Sequence, residues 1–146
     1  MTFWILIALA IAMVAYVRLA PSDQNRWHRQ APHKGQGEKR LKGGYIWREQ
    51  VQGDGRDRLQ AIDRAATADP ATRRLCGSVE EGQITYVSRS KWIGFPDYTT
   101  VTIYEDAEGD APGTYLEIYS RLRFGRSDFG VNAKRVRQWL RTVERG

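Results

Sequence analysis

Cysteine and histidine are nearly absent from this chain, which limits the chemistry that it can perform. Its 146 residues include one cysteine, Cys76, and two histidines. A single cysteine excludes an intramolecular disulfide and a zinc site built from cysteines. Because His28 and His33 both lie in a polar segment near the N-terminus, a Ser-His-Asp triad is implausible, and the pair alone is too weak a pattern to predict a metal site. We therefore predict no metal and no cofactor.

Nucleotide-binding and calcium-binding motifs are also missing. No G-x-x-x-x-G-K and no G-x-G-x-x-G sequence follows a predicted strand. The acidic residues 105–113 read as a hairpin loop, without the ligand spacing and the glutamate at position twelve that a calcium loop requires. These absences leave enzyme activity undecided and favour a non-catalytic role.

Positive charge is concentrated in two regions of the chain. The net charge is +6, made up of +5 over residues 18–44, −5 over residues 45–120 and +6 over residues 121–146. A general nucleic-acid binder shows basic residues with interleaved stacking aromatics or a recognised fold, and neither is evident here. We expect no nucleic-acid partner and place the basic surface beside the N-terminal segment and at the C-terminal end.

Residues 3–17 form an unbroken apolar run, FWILIALAIAMVAYV. Extended to Ala20, a helix of this run would reach about 27 Å, close to the hydrocarbon thickness of a bilayer. Trp4 and Tyr16 lie near opposite ends, where aromatic belts occur. The alternative, a cleaved signal peptide, lacks a basic start and a clean cleavage site. We predict that residues 1–20 are an uncleaved transmembrane anchor.

Residues 21–44 are rich in Pro, Gly, Gln and Lys, a composition that does not bury a core. We predict a basic flexible linker over this range. Two interpretations stay open: the linker is a solvated tether, or its basic residues lie on anionic lipid headgroups.

Residues 45–146 carry the periodic patterns of a folded domain. The order of elements is a helix, four strands and a helix, and the short connections imply an antiparallel sheet. The predicted fold class is therefore α+β: an N-terminal transmembrane helix followed by a two-layer sandwich of a four-stranded antiparallel sheet packed by two helices. The predicted elements are a helix over 56–68, strands over 72–78, 83–90, 98–104 and 115–124, and a helix over 131–143.

In the last predicted strand, residues 115–124, the even positions are apolar except for Ser120, and the odd positions are polar or aromatic. This pattern predicts one buried face and one face that is exposed or contacts a partner. Arg121 and Arg123 belong to the second of these faces, which we expect to be partly open.

The turn at residues 125–132 is the strongest candidate site. Ser127 or Asp128 is placed to cap the following helix, and the free N–H groups of a helix start beside several arginines would bind a phosphate or carboxylate. A purely structural cap and a protein-docking surface are the alternatives. The candidate residues of the turn and the preceding strand are Arg121, Arg123, Arg126, Ser127, Asp128 and Asn132.

Two stretches resemble a known bacterial family. TYVSRSKWIGFPD (residues 85–97) and SRLRFGRSDFGVN (residues 120–132), followed by the basic helix to Trp139, are similar to the family named domain of unknown function 1499. The resemblance covers roughly residues 55–143. The chain has Tyr119-Ser120-Arg121 where the family usually reads S-x-S-R, and Glu117 stands in place of an arginine two residues before that element.

The resemblance implies no activity, but it implies an N-terminal anchor or signal and draws attention to Arg89 and Asp97. We expect residues 91–97 to fold beside the 125–132 turn. In that arrangement Asp97 or Asp128 would pair with Arg89 or Arg121, and a buried structural ion pair between Asp97 and Arg89 is favoured.

These observations predict a single-pass protein of the bacterial inner (cytoplasmic) membrane. The positive-inside rule favours a cytoplasmic domain, the resemblance favours the opposite side, and the side stays open. The predicted function is a non-catalytic binding module whose turn at residues 125–132 holds an anionic ligand or lipid headgroup. The alternative is an accessory or assembly subunit of a membrane protein complex.

Overall fold

Four helices and six strands make up the computed structural model, which describes residues 1–32, 36–108 and 111–146. His33, in the segment predicted as a linker, and Asp110, in the predicted acidic loop, lie outside the described residues. The helices are α1 (Thr2–Leu19), α2 (Gln24–Trp27), α3 (Arg56–Thr67) and α4 (Val131–Arg145). The strands are β1 (Gly37–Leu41), β2 (Gly44–Gln50), β3 (Thr72–Ser78), β4 (Gln83–Arg89), β5 (Pro96–Asp106) and β6 (Gly113–Leu122).

The strands form one antiparallel sheet in the order β1-β2-β6-β5-β4-β3. The α+β class, with an apolar N-terminal helix and an antiparallel sheet, is confirmed, but the predicted strand number of four is wrong. Strand β2 pairs with β6 from Gly44 opposite Arg121 to Gln50 opposite Tyr115. The two strands that the sequence missed are β1 and β2. Strand β1 was missed because it exposes three consecutive charged residues, Glu38, Lys39 and Arg40, as edge strands often do.

Helices α3 and α4 cover one face of the sheet and enclose the main core. Leu59 and Ile62 of α3 and Val136 of α4 are fully buried there. Trp139 of α4 meets Tyr86 of β4 edge-on, with ring centroids 5.5 Å apart. The apolar residues of both helices therefore face the sheet.

The opposite face of the sheet is covered by residues 21–32, which we call the strap. Trp27 of the strap is buried and stacks on Tyr98 of β5, with ring centroids 4.0 Å apart at an interplanar angle of 9°. His28 Nδ1 lies 2.9 Å from Thr85 Oγ1, and the Ala31 N–H donates to Glu117 Oε1 at 2.9 Å. The sequence assigned residues 21–44 to a flexible linker. Within that range the strap packs on the sheet because Trp27 supplies a large apolar contact. Residues 37–41 form β1 by pairing with β2.

Helix α1 directly precedes the strap in the chain. It is the one helix of the described chain that is long and apolar enough to cross a membrane, with a mean hydropathy of 2.1 and 6% of its length buried. By length and composition it fits a membrane anchor or a signal sequence. Its last turn contacts the domain, because Val17 is 3% exposed and the Tyr16 ring lies 6.0 Å from the Phe124 ring.

Candidate functional site

Arg121, the first of the predicted ligand-binding arginines, is buried beneath the strap and is 5% exposed. Its Nη1 donates to Thr100 Oγ1 at 3.1 Å and to the Tyr119 carbonyl at 3.0 Å, and its Nη2 donates to the Trp27 carbonyl. Among the described residues, no carboxylate forms a salt bridge with Arg121. The guanidinium is therefore engaged with the chain itself rather than turned towards solvent.

The electrostatic setting of Arg121 is that of a buried cation. Burial lowers the pKa of Arg121 to about 10, so the side chain stays protonated near neutral pH. Its Cζ lies 4.3 Å from the Tyr119 ring centroid and 5.5 Å from that of Trp27, and both rings offer cation–π contact. Arg121 thus fastens the strap to β6 through the main-chain carbonyl and the ring of Trp27.

Arg123, two residues further along the chain, also binds the strap. Its Nη1 donates to the Pro21 carbonyl at 2.8 Å and to the Tyr98 hydroxyl at 3.2 Å. The strand alternation correctly places Arg121 and Arg123 on one face of the sheet. Both bind the strap there, so this face is covered where the sequence predicted a partly open surface.

The N-cap of helix α4 is Gly130, where the sequence predicted Ser127 or Asp128, and Asp128 two residues earlier binds amides at the helix start that an anion would need. Its Oδ1 accepts from the Gly130 N–H and its Oδ2 from the Asn132 N–H, both at 3.1 Å, and its carbonyl accepts from the Val131 N–H at 3.0 Å. Free N–H groups at a helix start are what makes such a turn an anion site. Because a carboxylate of the chain already binds them, the geometry fits the structural interpretation of this turn.

Asn132 and Ser127 support the same turn. Asn132 is fully buried, and its Oδ1 accepts from Ser120 Oγ at 2.6 Å and from Arg135 Nη1 at 2.7 Å. Ser127 Oγ accepts from the Phe129 N–H at 3.4 Å. Asn132 therefore ties α4 to β6, and Ser127 makes a local contact within the turn.

Asp97 and Arg89 lie at the same end of the sheet but do not form the ion pair expected from the sequence. Asp97 Oδ2 lies 3.4 Å from Arg135 Nη2 instead, because α4 brings Arg135 over the start of β5. Burial raises the pKa of Asp97, and the positive charge of Arg135 opposes that rise. Arg89 Nη1 donates to the Gly94 carbonyl at 2.9 Å and to the Val17 carbonyl at 3.5 Å, which links its loop to α1.

Arg126 is the predicted site arginine that is exposed, and it forms no hydrogen bond or ion pair with the described residues. It belongs to one of two loops, residues 90–95 and 123–130, which we call the anchor-side loops. The strand register puts both at the same end of the sheet, since Arg89 opposes Pro96 and Asp97 opposes Leu122. Lys91 of the first loop is also exposed.

The anchor-side loops are joined to the end of α1. Arg18 Nε donates to the Ile93 carbonyl at 3.1 Å, and its Nη2 donates to the Trp92 carbonyl at 3.0 Å. The loops also expose two aromatic side chains, Trp92 at 81% and Phe129 at 93%. Positive charge, exposed aromatic rings and the base of the apolar helix therefore meet at one end of the domain.

Sequence reasoning missed the strap and the contacts of Arg18. One available signal was Trp27, a large aromatic residue in an otherwise polar segment. A second was Asp23, whose side chain accepts from the Asn25 N–H at 3.0 Å and caps α2. The residues that receive the strap, such as Tyr98 and Thr85, are more than fifty positions away in sequence, so local patterns did not reveal them.

A cavity of about 410 Å³ lies between the strap and β3, lined by Gln24, Asn25, His28, Cys76, Gly77 and Glu81. Burial raises the pKa of the Cys76 thiol, which disfavours the reactive thiolate. No three His, Cys, Asp or Glu side chains converge to hold a metal ion in the part of the chain that the structure describes. The cavity therefore offers no recognisable catalytic arrangement.

Residues 18–143 match the family described as Protein of unknown function (DUF1499). The chain belongs to this family. The resemblance seen in the sequence is confirmed, and the DUF1499 region is longer than the expected 55–143 because it also includes the strap, β1 and β2. No curated protein matches the chain. The family description names no activity, so the contacts and exposed surfaces of the domain are what indicate a function for this DUF1499 protein.

Proposed function

We propose that this DUF1499 protein is a single-pass, membrane-anchored binding domain without a catalytic role, and that its anchor-side loops contact anionic lipid headgroups. The observation that carries the proposal is the joint between α1 and the domain. Val17 and Ala20 are 3% and 6% exposed, and Arg18 donates two hydrogen bonds to the loop at residues 90–95. A signal peptide that is removed would not need these contacts, so they support a retained anchor.

The charges near this joint support the choice of lipid headgroups over a small anion. The amides at the start of α4 are taken up by Asp128, which disfavours a small-anion site in the turn. Arg126 and Lys91 remain exposed, as do Arg26 and Arg29 of the strap. A basic residue near an anionic membrane surface contributes about 1 kcal/mol to binding. The family resemblance implies a bacterial protein with an N-terminal anchor or signal, and we propose the inner membrane as its location, on either side.

A second candidate is an accessory or assembly subunit of a membrane protein complex. The exposed rings of Trp92 and Phe129 favour it, since aromatic side chains beside an arginine are typical of protein-docking surfaces. In this case the same loops would contact another membrane protein instead of lipid.

Native mass spectrometry of the full-length protein, purified from its own membranes in mild detergent, separates the two candidates. The matched variant is Lys91→Ser/Arg126→Ser, which removes two exposed charges and leaves the buried arginines in place. Anionic phospholipid retained by the wild type and reduced in the variant is the expected result. A stoichiometric protein subunit lost in the variant would support the accessory role. Full-length protein with neither lipid nor partner would contradict a binding function for these loops.

A further inference from the structure

Exposed apolar side chains cluster at one end of the domain. Beyond residues 1–19, the large apolar side chains that are exposed among the described residues are Trp92, Ile93, Phe129 and Val131, at 81%, 37%, 93% and 50%. All four lie in the anchor-side loops or directly after them. A group of exposed apolar residues on one surface usually marks a site of interaction with a membrane or a protein.

Phe129 is held outwards by an unusual backbone. Its φ of 50° makes it the one non-glycine residue with positive φ in the described part of the chain. Bulky residues adopt this region rarely, and such strain tends to persist at functional positions. The side chain is also 93% exposed, so packing within the domain does not compensate for the strain.

The position of these rings relative to α1 indicates which partner they meet. Arg18, in the last turn of α1, donates to the carbonyls of Trp92 and Ile93. An arginine at the end of a membrane helix lies at the membrane–water interface, where its charge reaches the headgroups. The loop at residues 90–95 therefore lies at the level of the interface when α1 spans the bilayer.

The charges at this end are complementary to anionic lipid. Lys91, with its Nζ 5.2 Å from the Trp92 ring centroid, and Arg126 are exposed. The neighbouring acids are engaged internally, Asp97 with Arg135 and Asp128 with the start of α4. Tryptophan and phenylalanine among basic residues are the composition of surfaces that lie in the interfacial layer of a membrane.

We propose that the anchor-side loops insert Trp92 and Phe129 into the interfacial layer of the anionic bilayer that α1 spans, with Lys91 and Arg126 on lipid phosphates. The inference rests on the anchor of the proposed function and adds a fixed orientation of the domain. The strap, fastened by Arg121 and Arg123, keeps the loops next to the end of α1. The domain thus lies on the membrane and does not swing from a tether.

Spin-label depth measurements on the full-length protein in vesicles test the insertion of Trp92 and Phe129 into the interfacial layer. Single cysteines would be introduced in a Cys76→Ser background as Trp92→Cys and Phe129→Cys, so that each variant keeps the other ring. Glu81→Cys, exposed at the opposite end of the sheet, is the matched aqueous control, and Ala10→Cys reports on α1. The vesicles would contain phosphatidylcholine and phosphatidylglycerol, with accessibility to oxygen compared with accessibility to a water-soluble nickel chelate.

Labels at positions 92 and 129 are expected to be oxygen-accessible and protected from nickel, with the label at position 81 showing the reverse. If positions 92 and 129 behave like position 81 while position 10 lies in the bilayer, the docking is refuted and the anchor stands. If position 10 is also aqueous, the anchor of the proposed function is wrong. Labels that are aqueous in vesicles but protected in native membranes would refute lipid docking and assign the loops to a protein partner.

Charge reversal tests the proposed contact of Lys91 and Arg126 with lipid phosphates. In a Lys91→Glu/Arg126→Glu variant, and in vesicles of phosphatidylcholine alone, the docked population is expected to fall. The ratio of docked to undocked protein should fall at least about fivefold for each basic residue reversed, since about 1 kcal/mol corresponds to about fivefold in an equilibrium constant. A docked population that ignores both changes would contradict the contact of Lys91 and Arg126 with lipid phosphates.

Discussion

Trp27→Ala is expected to release the strap from the sheet. Trp27 is 6% exposed, stacks on Tyr98 and lies under the guanidinium of Arg121. Truncating a buried tryptophan to alanine typically costs about 3–5 kcal/mol. Because the strap lies on the periphery of the domain, this cost is limited by the free energy with which the strap docks. We therefore expect local release of residues 21–32 before global unfolding of the sheet.

Hydrogen exchange of the full-length protein in detergent measures this release residue by residue. The informative amides are His28, which donates to the Gln24 carbonyl at 2.8 Å, and Ala31, which donates to Glu117 at 2.9 Å. A loss of about 3 kcal/mol lowers their protection about 100-fold. Amides of β5 and β6 should keep their protection, since the main core lies on the other face of the sheet.

The matched control is Trp92→Ala, the same chemical change at a side chain that is 81% exposed. In detergent its effect on stability is expected to stay within about 0.5 kcal/mol. The reasoning would be refuted if the strap amides of Trp27→Ala exchanged as slowly as those of the wild type. It would also be refuted if both tryptophan variants lowered strap protection equally.

Three further changes test the contacts that hold the domain together. Arg121→Ala leaves the Trp27 carbonyl and the Thr100 hydroxyl without this donor, and should lower the free energy of urea unfolding by about 1–3 kcal/mol. The control Arg126→Ala should lower it by less than about 0.5 kcal/mol. Equal costs would mean that Arg121 does not fasten the strap. Asp128→Ala removes the carboxylate that binds the Gly130 and Asn132 amides at the start of α4, and should cost about 1 kcal/mol in thermal unfolding. An unchanged midpoint would argue that these two hydrogen bonds do not stabilise the helix. Burial raises the pKa of Glu117 above its ordinary value of 4.5. The protonated carboxyl therefore contributes its full stability below pH 4.5, and this contribution is lost as the pH rises through the folded-state pKa. Glu117→Gln should therefore flatten the decline of the urea midpoint over this range, and a decline parallel to that of the wild type would count against a buried Glu117.

Local patterns in the sequence predicted the parts of the molecule that depend on local geometry. The period-two alternation of residues 115–124 assigned Arg121 and Arg123 to one face, because side chains alternate along any strand. Ser127 or Asp128 was predicted as the cap of α4 because the spacing between a cap and the amides it binds is set within one turn. The N-cap is Gly130 instead, and Asp128 binds amides of the same turn. These predictions did not require knowledge of which element lies opposite.

The errors arose where distant segments meet. Trp27 and Tyr98 are more than seventy positions apart, and their stacking turns a polar segment into a packed strap. Asp97 pairs with Arg135, thirty-eight positions away, and not with the nearer Arg89. Strand β1 carries charge because it is an edge strand, so its composition resembled that of a linker. In each case the partner is chosen by the tertiary arrangement of the sheet.

The retention of α1 is the claim on which the account depends. It is tested most directly by the intact mass of the protein recovered from its own membranes after an alkaline carbonate wash. We predict a membrane pellet that contains the full chain of 16.7 kDa, with residues 1–20 still attached. A protein that is washed free and lacks these residues would show that α1 is a cleaved signal, and would contradict both the anchored domain and the membrane-docked loops.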